Sequence, residues 1–326
     1  MTNQPEFQDI EAAARRLDGI AVRTPLLESI LLNRHVGGRL LLKAESLQRT
    51  GSFKFRGAWN RVSLIAESER EKGVVAYSSG NHAQGVAAAA HILGIEATII
   101  MPNTAPAIKK SNTRAYGAKV IEYDIDRESR EKIGAEICRR TGATLVRPYD
   151  DSRVVAGQGT AGLEIVSDLI ARQFTPDQIL IPCGGGGLIA GISIAVHETF
   201  PDCRIYSVEP EGFDDTSRSL EARRRLGNPL GGRSICDAIM TPEPGELTFP
   251  INLEHLAAGV CVTDKQVLAG MRCAFEHFKI VVEPGGAVAL AAAIAGSVPL
   301  ENRCTVVVCS GGNVDADLYR RCLDDR

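Results

Sequence analysis

The stretch Thr50-Gly51-Ser52-Phe53-Lys54-Phe55-Arg56-Gly57 places Lys54 between two phenylalanines, in a glycine-bounded turn that follows the apolar run 39–43. Apolar neighbours lower the pKa of an amine and expose its lone pair, as a nucleophilic lysine requires. A lysine at the edge of a buried helix, with its stem packed and its ammonium group in water, would give the same stretch. The rest of the chain therefore decides which role Lys54 has.

The composition is that of an ordinary soluble globular protein. The 326 residues are 44% apolar and 24% charged, enough for one large or two ordinary domains. The net charge of −3 predicts no binding to nucleic acid or to an anionic membrane, and no signal-peptide or membrane-spanning pattern is found. The nine cysteines form no C-x-x-C pair, which indicates a reducing compartment. We expect a cytoplasmic protein whose partner is a small molecule.

Apolar strands alternate with helices along most of the chain. Short apolar runs predict strands at 40–44, 74–77, 97–101, 119–123, 144–146, 179–181, 204–208 and 305–309. Helical spacing of apolar side chains predicts helices at 6–18, 83–93, 105–116, 127–141, 160–172, 188–197 and 264–278, and two more from about 284 and 315.

This alternation predicts an α/β protein with parallel sheets. Strands that are nearly all apolar are typical of sheets covered by helices on both faces. The length favours two such sheets, with a boundary near the polar turn Asp150-Asp151. Residues 210–256 are rich in Pro, Gly and Arg and are expected to form an irregular surface segment.

A run of four glycines, Gly184 to Gly187, lies directly between a predicted strand and a predicted helix that opens at Leu188. Backbone amides in such a loop can converge on an anion at the positive end of the helix dipole, so we expect a phosphate site. The spacing Gly185-x-Gly187-x-x-Ala190, with Glu209 after the next strand, also satisfies the dinucleotide fingerprint of a NAD-dependent dehydrogenase.

Two further polar loops follow predicted strands. Ser78-Ser79-Gly80-Asn81-His82 opens a helix, and its hydroxyls and amides can hold a carboxylate. One of these residues could instead serve only as a helix cap, although a cap requires one such residue and not five in series. The second loop, Ser310-Gly311-Gly312-Asn313, can offer the Ser310 hydroxyl to a ligand.

Taken together, these motifs resemble those of the fold-type II pyridoxal-phosphate enzymes, and closely those of the threonine dehydratase and serine racemase branch. The motifs occur in the family's order and span almost the whole chain. They are the Lys54 stretch, residues 78–82, Gly157-Gln158-Gly159-Thr160, Gly184 to Gly187, Glu283-Pro284 and Ser310 to Asn313.

The resemblance implies two open, mostly parallel α/β sandwich domains of the tryptophan synthase β type, with the cofactor in the cleft between them. Residues 1–51 and 150–326 would form the large cofactor-binding domain, and residues 52–149 the small domain that binds the substrate carboxylate. A homodimer is the expected assembly.

The resemblance also implies roles for single residues around the cofactor. Lys54 would be the Schiff-base lysine and the base that removes the α-proton. The other residues implied to bind pyridoxal phosphate are Phe53, Asn81, Gly184, Gly185, Gly186, Gly187, Leu188, Glu283 and Ser310. A serine facing the pyridine nitrogen, unlike a carboxylate, does not keep that nitrogen protonated, which favours expulsion of a β leaving group over transamination.

The substrate carboxylate would be held by the loop residues Ser78, Ser79, Gly80 and His82. Ser79 matches the residue that carries a proton on the face opposite the lysine in racemases, so racemisation is an alternative reaction. Arg130 matches a family position that can meet a second carboxylate, although a lone arginine on such a helix is more often a solvated surface charge.

A divalent-cation site is the last feature that the resemblance implies. Glu209, the carbonyl of Phe213 and Asp215 match a site of the racemase branch that would suit Mg²⁺, Ca²⁺ or Mn²⁺. Exposed acids at the end of a strand are the alternative explanation.

The predicted function is β-elimination of water from L-threonine or L-serine, giving a 2-oxo acid and ammonia. The alternatives within the family are a threo-3-hydroxyaspartate dehydratase, which Arg130 would favour, and a serine or aspartate racemase. Two alternatives belong to other classes of protein. They are a NAD-dependent dehydrogenase and a non-catalytic amino-acid sensor that reuses the fold.

Overall fold

Two sheets form the framework of the chain in a computed structural model that describes residues 4–78, 80–229 and 231–324. The strands are β1 (Leu26–Glu28), β2 (Arg39–Ala44), β3 (Val74–Tyr77), β4 (Ala97–Pro102), β5 (Lys119–Tyr123), β6 (Thr144–Leu145), β7 (Gln178–Pro182), β8 (Arg204–Pro210), β9 (Ala258–Val262) and β10 (Cys304–Cys309).

Helices connect these strands and cover the sheets. They are α1 (Phe7–Leu17), α2 (Ile30–Val36), α3 (Lys54–Ser63), α4 (Glu67–Arg70), α5 (Asn81–Ile92), α6 (Ala107–Ala115), α7 (Arg130–Thr141), α8 (Ser152–Ala171), α9 (Gly187–His197), α10 (Asp215–Ala222), α11 (Thr248–His255), α12 (Asp264–Cys273), α13 (Pro284–Ile294) and α14 (Ala316–Asp324). Among the described residues, no helix is both long and apolar enough to cross a bilayer.

The larger sheet has six strands in the order β1-β2-β10-β7-β8-β9. All of its pairs are parallel except that of β1 with β2. Alternate residues of β2 enter separate cores: Leu40 and Leu42 pack in the core that contains α12 and α13, whereas Leu41 packs in the core beneath α8 and α9. Burial on both faces explains why the strands of this sheet are so uniformly apolar.

The smaller sheet has four parallel strands in the order β5-β4-β3-β6. Val74 and Ala76 of β3 face the core formed with α3 and α5, and Val75 faces the opposite core, where Ile137 of α7 packs. The predicted α/β class with two mostly parallel sheets is confirmed. The domain boundaries near residues 52 and 150 stay a prediction, although each sheet draws its strands from one predicted domain.

Helices α3 and α8 join the two sheets at a close crossing. A Cβ atom added to Gly157 of α8 would lie 2.6 Å from the Cα atom of Gly57 in α3. The Gly57 amide also donates a hydrogen bond of 3.0 Å to the Gln158 side chain. Glycine at both positions lets the two backbones approach closely, which fixes the position of α3 and of Lys54 at its first turn.

A buried ion cluster lies beside this crossing. The Arg56 guanidinium donates to both Glu45 oxygens at 2.8 Å and to Glu164 at 2.6 and 2.8 Å. Lys43 donates to Glu164 at 2.5 Å and to the Thr24 carbonyl at 2.6 Å. The cluster holds two cations and two anions, so its charges balance within the core.

Several sequence predictions were wrong in detail. Residues 210–256 are not irregular throughout, because they contain α10 and α11. Helix α8 begins at Ser152, earlier than the predicted residue 160, and therefore includes the Gly157-Gln158-Gly159 motif. Lys54 was expected in a turn but opens helix α3. Strands β1 and β9 were also missed.

Candidate active site

A cleft between the two sheets contains most of the residues that the motifs single out. Parallel strands present their carboxyl ends at the same edge of a sheet, so the loops after β3, β7 and β10 open toward it. The cleft has a cavity volume of about 110 Å³ and is partly open to solvent. Its lining includes Phe53, Lys54, Ser78, Asn81, His82, Arg130, Gly184, Gly185, Gly186, Gly187, Leu188 and Ser310. Ser79 lies outside the described residues.

The Lys54 amine lies in the interior of this cleft. Its Nζ atom donates a 2.8 Å hydrogen bond to the carbonyl of Pro148 and lies 5.0 Å from the centre of the Phe53 ring. Desolvation by burial lowers the pKa of Lys54 to about 8. A substantial fraction of the amine is therefore neutral at physiological pH, as nucleophilic attack requires.

The glycine loop forms a cradle at the amino end of α9. Gly186 has a φ of +85°, and side chains at Gly185 and Gly186 would overlap the ring of Tyr149 and the Asn252 amide. Thr248 fixes the loop from outside by donating a 2.6 Å hydrogen bond to the Gly185 carbonyl. The free amides of the first turn of α9 and the helix dipole make this cradle suitable for a phosphate group.

The side chain of Asn81 is held from two sides at the start of α5. Its amide nitrogen donates to Glu283 Oε1, and its carbonyl oxygen accepts a 2.9 Å hydrogen bond from Asn313. These partners leave the second hydrogen of the Asn81 amide for a ligand in the cleft. Glu283 does not line the cleft itself but lies behind Asn81.

His82 has a neutral imidazole. Its Nε2 atom makes a 3.0 Å hydrogen bond with the Val146 carbonyl, and Nδ1 has no partner among the described residues. Burial, and then the charge of Lys54, lower the pKa of His82 to about 3. The ring therefore brings no positive charge to a substrate carboxylate, and attraction must come from the backbone amides at the start of α5.

Arg130 and two tyrosines also line the cleft. The Arg130 guanidinium lies 5.2 Å from the centre of the Tyr77 ring and 2.7 Å from Glu131. The side chain of Arg130 is 30% exposed and lines the cleft together with Tyr77 and Tyr149. It can therefore reach a ligand as well as solvent.

Comparison with known proteins identifies the family. The family model for pyridoxal-phosphate dependent enzymes matches residues 17–311, which is most of the chain. The chain belongs to the pyridoxal-phosphate-dependent enzymes. It is 41% identical to an L-threo-3-hydroxyaspartate ammonia-lyase of Pseudomonas sp, over 97% of this chain and 98% of that protein.

Solved structures of the same family have the same fold. A threonine deaminase from T.th. is 44% identical, with a TM-score of 0.90 over 95% of this chain and 99% of that one. Maize serine racemase is 34% identical, with a TM-score of 0.91 over 99% and 98% of the two chains.

The residues of this pyridoxal-phosphate-dependent enzyme fit the cofactor that the family name specifies. The glycine loop packs tightly on Tyr149 and Asn252 and leaves the first amides of α9 without a side-chain cap, so they can hold a phosphate. The depressed pKa of Lys54 suits covalent attachment to an aldehyde. Phe53, Asn81 and Ser310 line the same cleft and can surround a ring. A phosphate cradle paired with a reactive lysine favours this cofactor over the dinucleotide alternative.

The predicted cation residues lie away from the cleft, around the start of α10. Glu209 accepts hydrogen bonds from the amides of Thr216 at 2.9 Å and Ser217 at 2.8 Å. Asp215 accepts one from Asn228 at 2.6 Å, and its Oδ2 atom is buried without a hydrogen-bond partner among the described residues.

Both acids are fully buried rather than exposed at a strand end. Burial, followed by the charge of Asp215, raises the pKa of Glu209 to about 8, and burial raises that of Asp215 to about 7. No group of three or more His, Cys, Asp or Glu side chains in the described ranges could hold a metal. The predicted set has only two acids, so it would need the Phe213 carbonyl and waters.

Sequence reasoning missed three residues that shape the cleft, namely Tyr149, Lys109 and Asp237. Tyr149 packs on the glycine loop. In the sequence it is simply a tyrosine beside the predicted domain boundary, and no motif there predicts this contact. Lys109 and Asp237 form a 2.8 Å ion pair at the wall of the cleft. A lysine in a polar helix has no sequence feature that separates it from a surface lysine.

Proposed function

We propose that this enzyme eliminates water from a small β-hydroxy amino acid, L-threonine or L-serine, to give a 2-oxo acid and ammonia. One observation carries the proposal. The buried amine of Lys54 shares a single cleft with the phosphate cradle and with the free amides at the start of α5.

Pyridoxal phosphate, when bound, withdraws electron density from the α-carbon of an attached amino acid and makes its α-proton acidic. Lys54 would receive that proton at Nζ, because its depressed pKa favours the neutral amine. The Pro148 carbonyl orients the Nζ atom through its 2.8 Å contact. The β-hydroxyl group then leaves as hydroxide, which takes up a proton to become water. Another water molecule hydrolyses the resulting unsaturated amine to the 2-oxo acid and ammonia.

The start of α5 orients the substrate. The first turn of α5 has no side-chain cap, so its backbone amides and the helix dipole favour a carboxylate there. Holding the carboxylate fixes which bond of the α-carbon stands perpendicular to the cofactor plane, and this selects the bond that breaks. Ser78 and Gly80 shape this loop, and Ser79 is proposed to carry the proton on the opposite face when racemisation competes.

A second carboxylate on the substrate is the alternative that Arg130 supports. The guanidinium is partly exposed in the cleft and could pair with the β-carboxylate of 3-hydroxyaspartate. Two similar curated proteins, from Pseudomonas sp and from Saccharomyces cerevisiae, are L-threo-3-hydroxyaspartate ammonia-lyases. A relative in Schizosaccharomyces pombe is a serine racemase, which supports testing racemisation as well.

The test measures 2-oxo acid from L-threonine, L-serine and L-threo-3-hydroxyaspartate, and the opposite enantiomer by chiral chromatography. We expect 2-oxo acid from at least one substrate and none from Lys54→Ala. The Arg130→Ala variant should lose 3-hydroxyaspartate turnover selectively if that is the physiological substrate. Cofactor binding without any product or racemisation would instead identify a non-catalytic amino-acid sensor and overturn the proposal.

We further propose that Glu209, Asp215 and the carbonyl of Phe213 bind Mg²⁺, Ca²⁺ or Mn²⁺. The buried, unpartnered Oδ2 atom of Asp215 beside a second carboxylate supports a cation there, because two adjacent acids otherwise repel each other. Asn228 connects the site to the cleft, since it donates 2.6 and 2.7 Å hydrogen bonds to Asp215 and to the carbonyl of Thr241 in the cleft wall.

A bound cation should raise the melting temperature of the protein, because only the folded chain assembles the site. We expect millimolar Mg²⁺, Ca²⁺ or Mn²⁺ to stabilise the wild type and the control Glu211→Gln, whose substituted acid is exposed. The same ions should have no effect on Glu209→Gln. Equal melting temperatures with and without each ion would exclude the site.

We propose a homodimer, which sedimentation of the purified protein tests directly. A cytoplasmic location is supported by the nine cysteines, all of which carry free thiols.

A further inference from the structure

Lys109 is a buried cation in the wall of the cleft that the proposed reaction does not use. It lies on α6, its side chain is 2% exposed, and its Nζ atom lies 2.8 Å from Asp237 Oδ2 and 3.1 Å from Glu283 Oε2. A side chain at Gly80 would overlap the Lys109 stem, so the lysine runs directly beneath the loop that opens α5. Lys109 therefore contacts the loop that opens α5, and it also contacts two acids, Asp237 and Glu283, from the part of the chain that forms the larger sheet.

Glu283 needs a cation because it is buried. Its side chain is 1% exposed, and it precedes α13, whose amino end also favours an anion. One carboxylate oxygen accepts from Asn81, and the other faces Lys109. Burial raises the pKa of Glu283, and the charge of Lys109 counteracts that rise. Lys109 itself stays charged, since Glu283 and Asp237 outweigh its burial and raise its pKa.

The charge of Glu283 fixes the orientation of Asn81. An ionised carboxylate only accepts hydrogen bonds, so Asn81 must turn its amide nitrogen toward Glu283 and its carbonyl oxygen toward Asn313. In this orientation a second N–H bond remains for the ring of a ligand. Asn313 supports the same orientation, since its amide nitrogen donates to the Thr50 carbonyl as well as to Asn81. A protonated Glu283 could turn its hydroxyl group toward Asn81, and the Asn81 amide nitrogen would then lose its buried acceptor.

We propose that Lys109 is a positioning residue of the cofactor site: it keeps Glu283 a carboxylate, which holds the Asn81 amide nitrogen toward the cofactor ring. The inference rests on the cofactor of the family and not on the substrate. Its readouts need no turnover, so its failure is distinguishable from failure of the proposed function.

The test follows the visible absorption of the substrate-free holoenzyme from about pH 6 to about pH 9. The charged and titratable groups that face Glu283 are Lys109 on α6, and Asp237 and Cys236 in the segment between α10 and α11. We expect Lys109→Met to gain a pH-dependent spectral transition that the wild type lacks, because the unpaired Glu283 takes up a proton in this range. Asp237→Asn removes the other acid and should retain the wild-type spectrum.

A second substitution makes the test specific. Glutamine at position 283 accepts from Asn81 but does not titrate, so Lys109→Met with Glu283→Gln should lose the new transition. If Lys109→Met alone does not fold, this double variant should recover soluble holoenzyme, whereas Lys109→Met with Asp237→Asn should not. A spectrum of Lys109→Met that stays independent of pH, or rescue by Asp237→Asn instead, would overturn the proposal.

Discussion

Lys54 shows how burial alone prepares a side chain for chemistry. Desolvation is the cause of its depressed pKa, and the one hydrogen bond made by its amine goes to a neutral carbonyl. His82 is held neutral nearby, so its ring adds no positive charge beside the nucleophile. The two phenylalanines have different roles, since Phe53 lines the cleft while Phe55 is fully buried in the core.

The pKa of Lys54 predicts how the cofactor-free protein takes up pyridoxal phosphate. Only the neutral amine attacks the aldehyde, so the rate of covalent attachment should rise with pH around a midpoint near pH 8 rather than near 10.5. Stopped-flow absorbance at a series of pH values measures this rate. Lys54→Ala serves as the control and should show no covalent spectrum. A wild-type rate that does not vary with pH would contradict the depressed pKa.

At the scale of elements, the crossing of α3 and α8 decides where Lys54 stands. The crossing allows no side chain at Gly157, because an added Cβ atom would lie 2.6 Å from Gly57 Cα and 2.7 Å from the Arg56 carbonyl. Backbone atoms cannot rotate away as a side chain can. Any added volume at this position must therefore separate the two helices.

We expect Gly157→Ala to destabilise the protein by about 1–3 kcal/mol and to weaken cofactor binding, because α3 carries Lys54. Urea unfolding and a fluorescence titration with the cofactor measure the two effects. The matched control is Gly134→Ala in α7, where the nearest atom to an added Cβ is 3.4 Å away. Alanine there should leave stability unchanged or raise it by up to about 1 kcal/mol. Equal stabilities of the two variants would disprove the tight crossing.

Sequence predicted the sheets better than the helices that join them. Strands such as β3 and β7 are recognisable because burial on both faces makes them continuous apolar runs. Helices α10 and α11 lie in a segment whose Pro, Gly and Arg content favours loops, and tertiary packing overrides that preference. No sequence pattern distinguishes the neighbours Lys109 and Lys110. Lys109 nevertheless lies in the cleft wall, whereas Lys110 pairs with Glu122 on the outer surface. Only the packing of α6 distinguishes them.

At the scale of the whole molecule, the buried ion cluster connects the two sheets. Arg56 comes from α3, Glu45 follows β2, and Glu164 comes from the long helix α8. Arg56 is 1% exposed and Glu45 is fully buried. Removal of one member would leave an uncompensated charge in the core, which costs more than the intact pair contributes.

Arg56→Met should lower the free energy of unfolding by about 3–5 kcal/mol, because Glu45 then lacks its main counter-ion. Urea unfolding is the measurement, because guanidinium is a salt and would itself screen the ion pairs. Arg23→Met, which breaks the exposed pair with Asp168, is the control and should cost about 0–1 kcal/mol. A loss as small as that of the control would show that solvent reaches the cluster.

The strand order has a consequence for synthesis on the ribosome. All strands of the smaller sheet lie between residues 74 and 145, so they can pair soon after that segment emerges. In the larger sheet β10 is inserted between β2 and β7, and Arg39 pairs with Cys304. One edge of strand β2 therefore stays unpaired until β10 has been synthesised, which requires most of the chain. We infer that the smaller sheet folds first and that the nascent larger sheet is the part that most needs a chaperone.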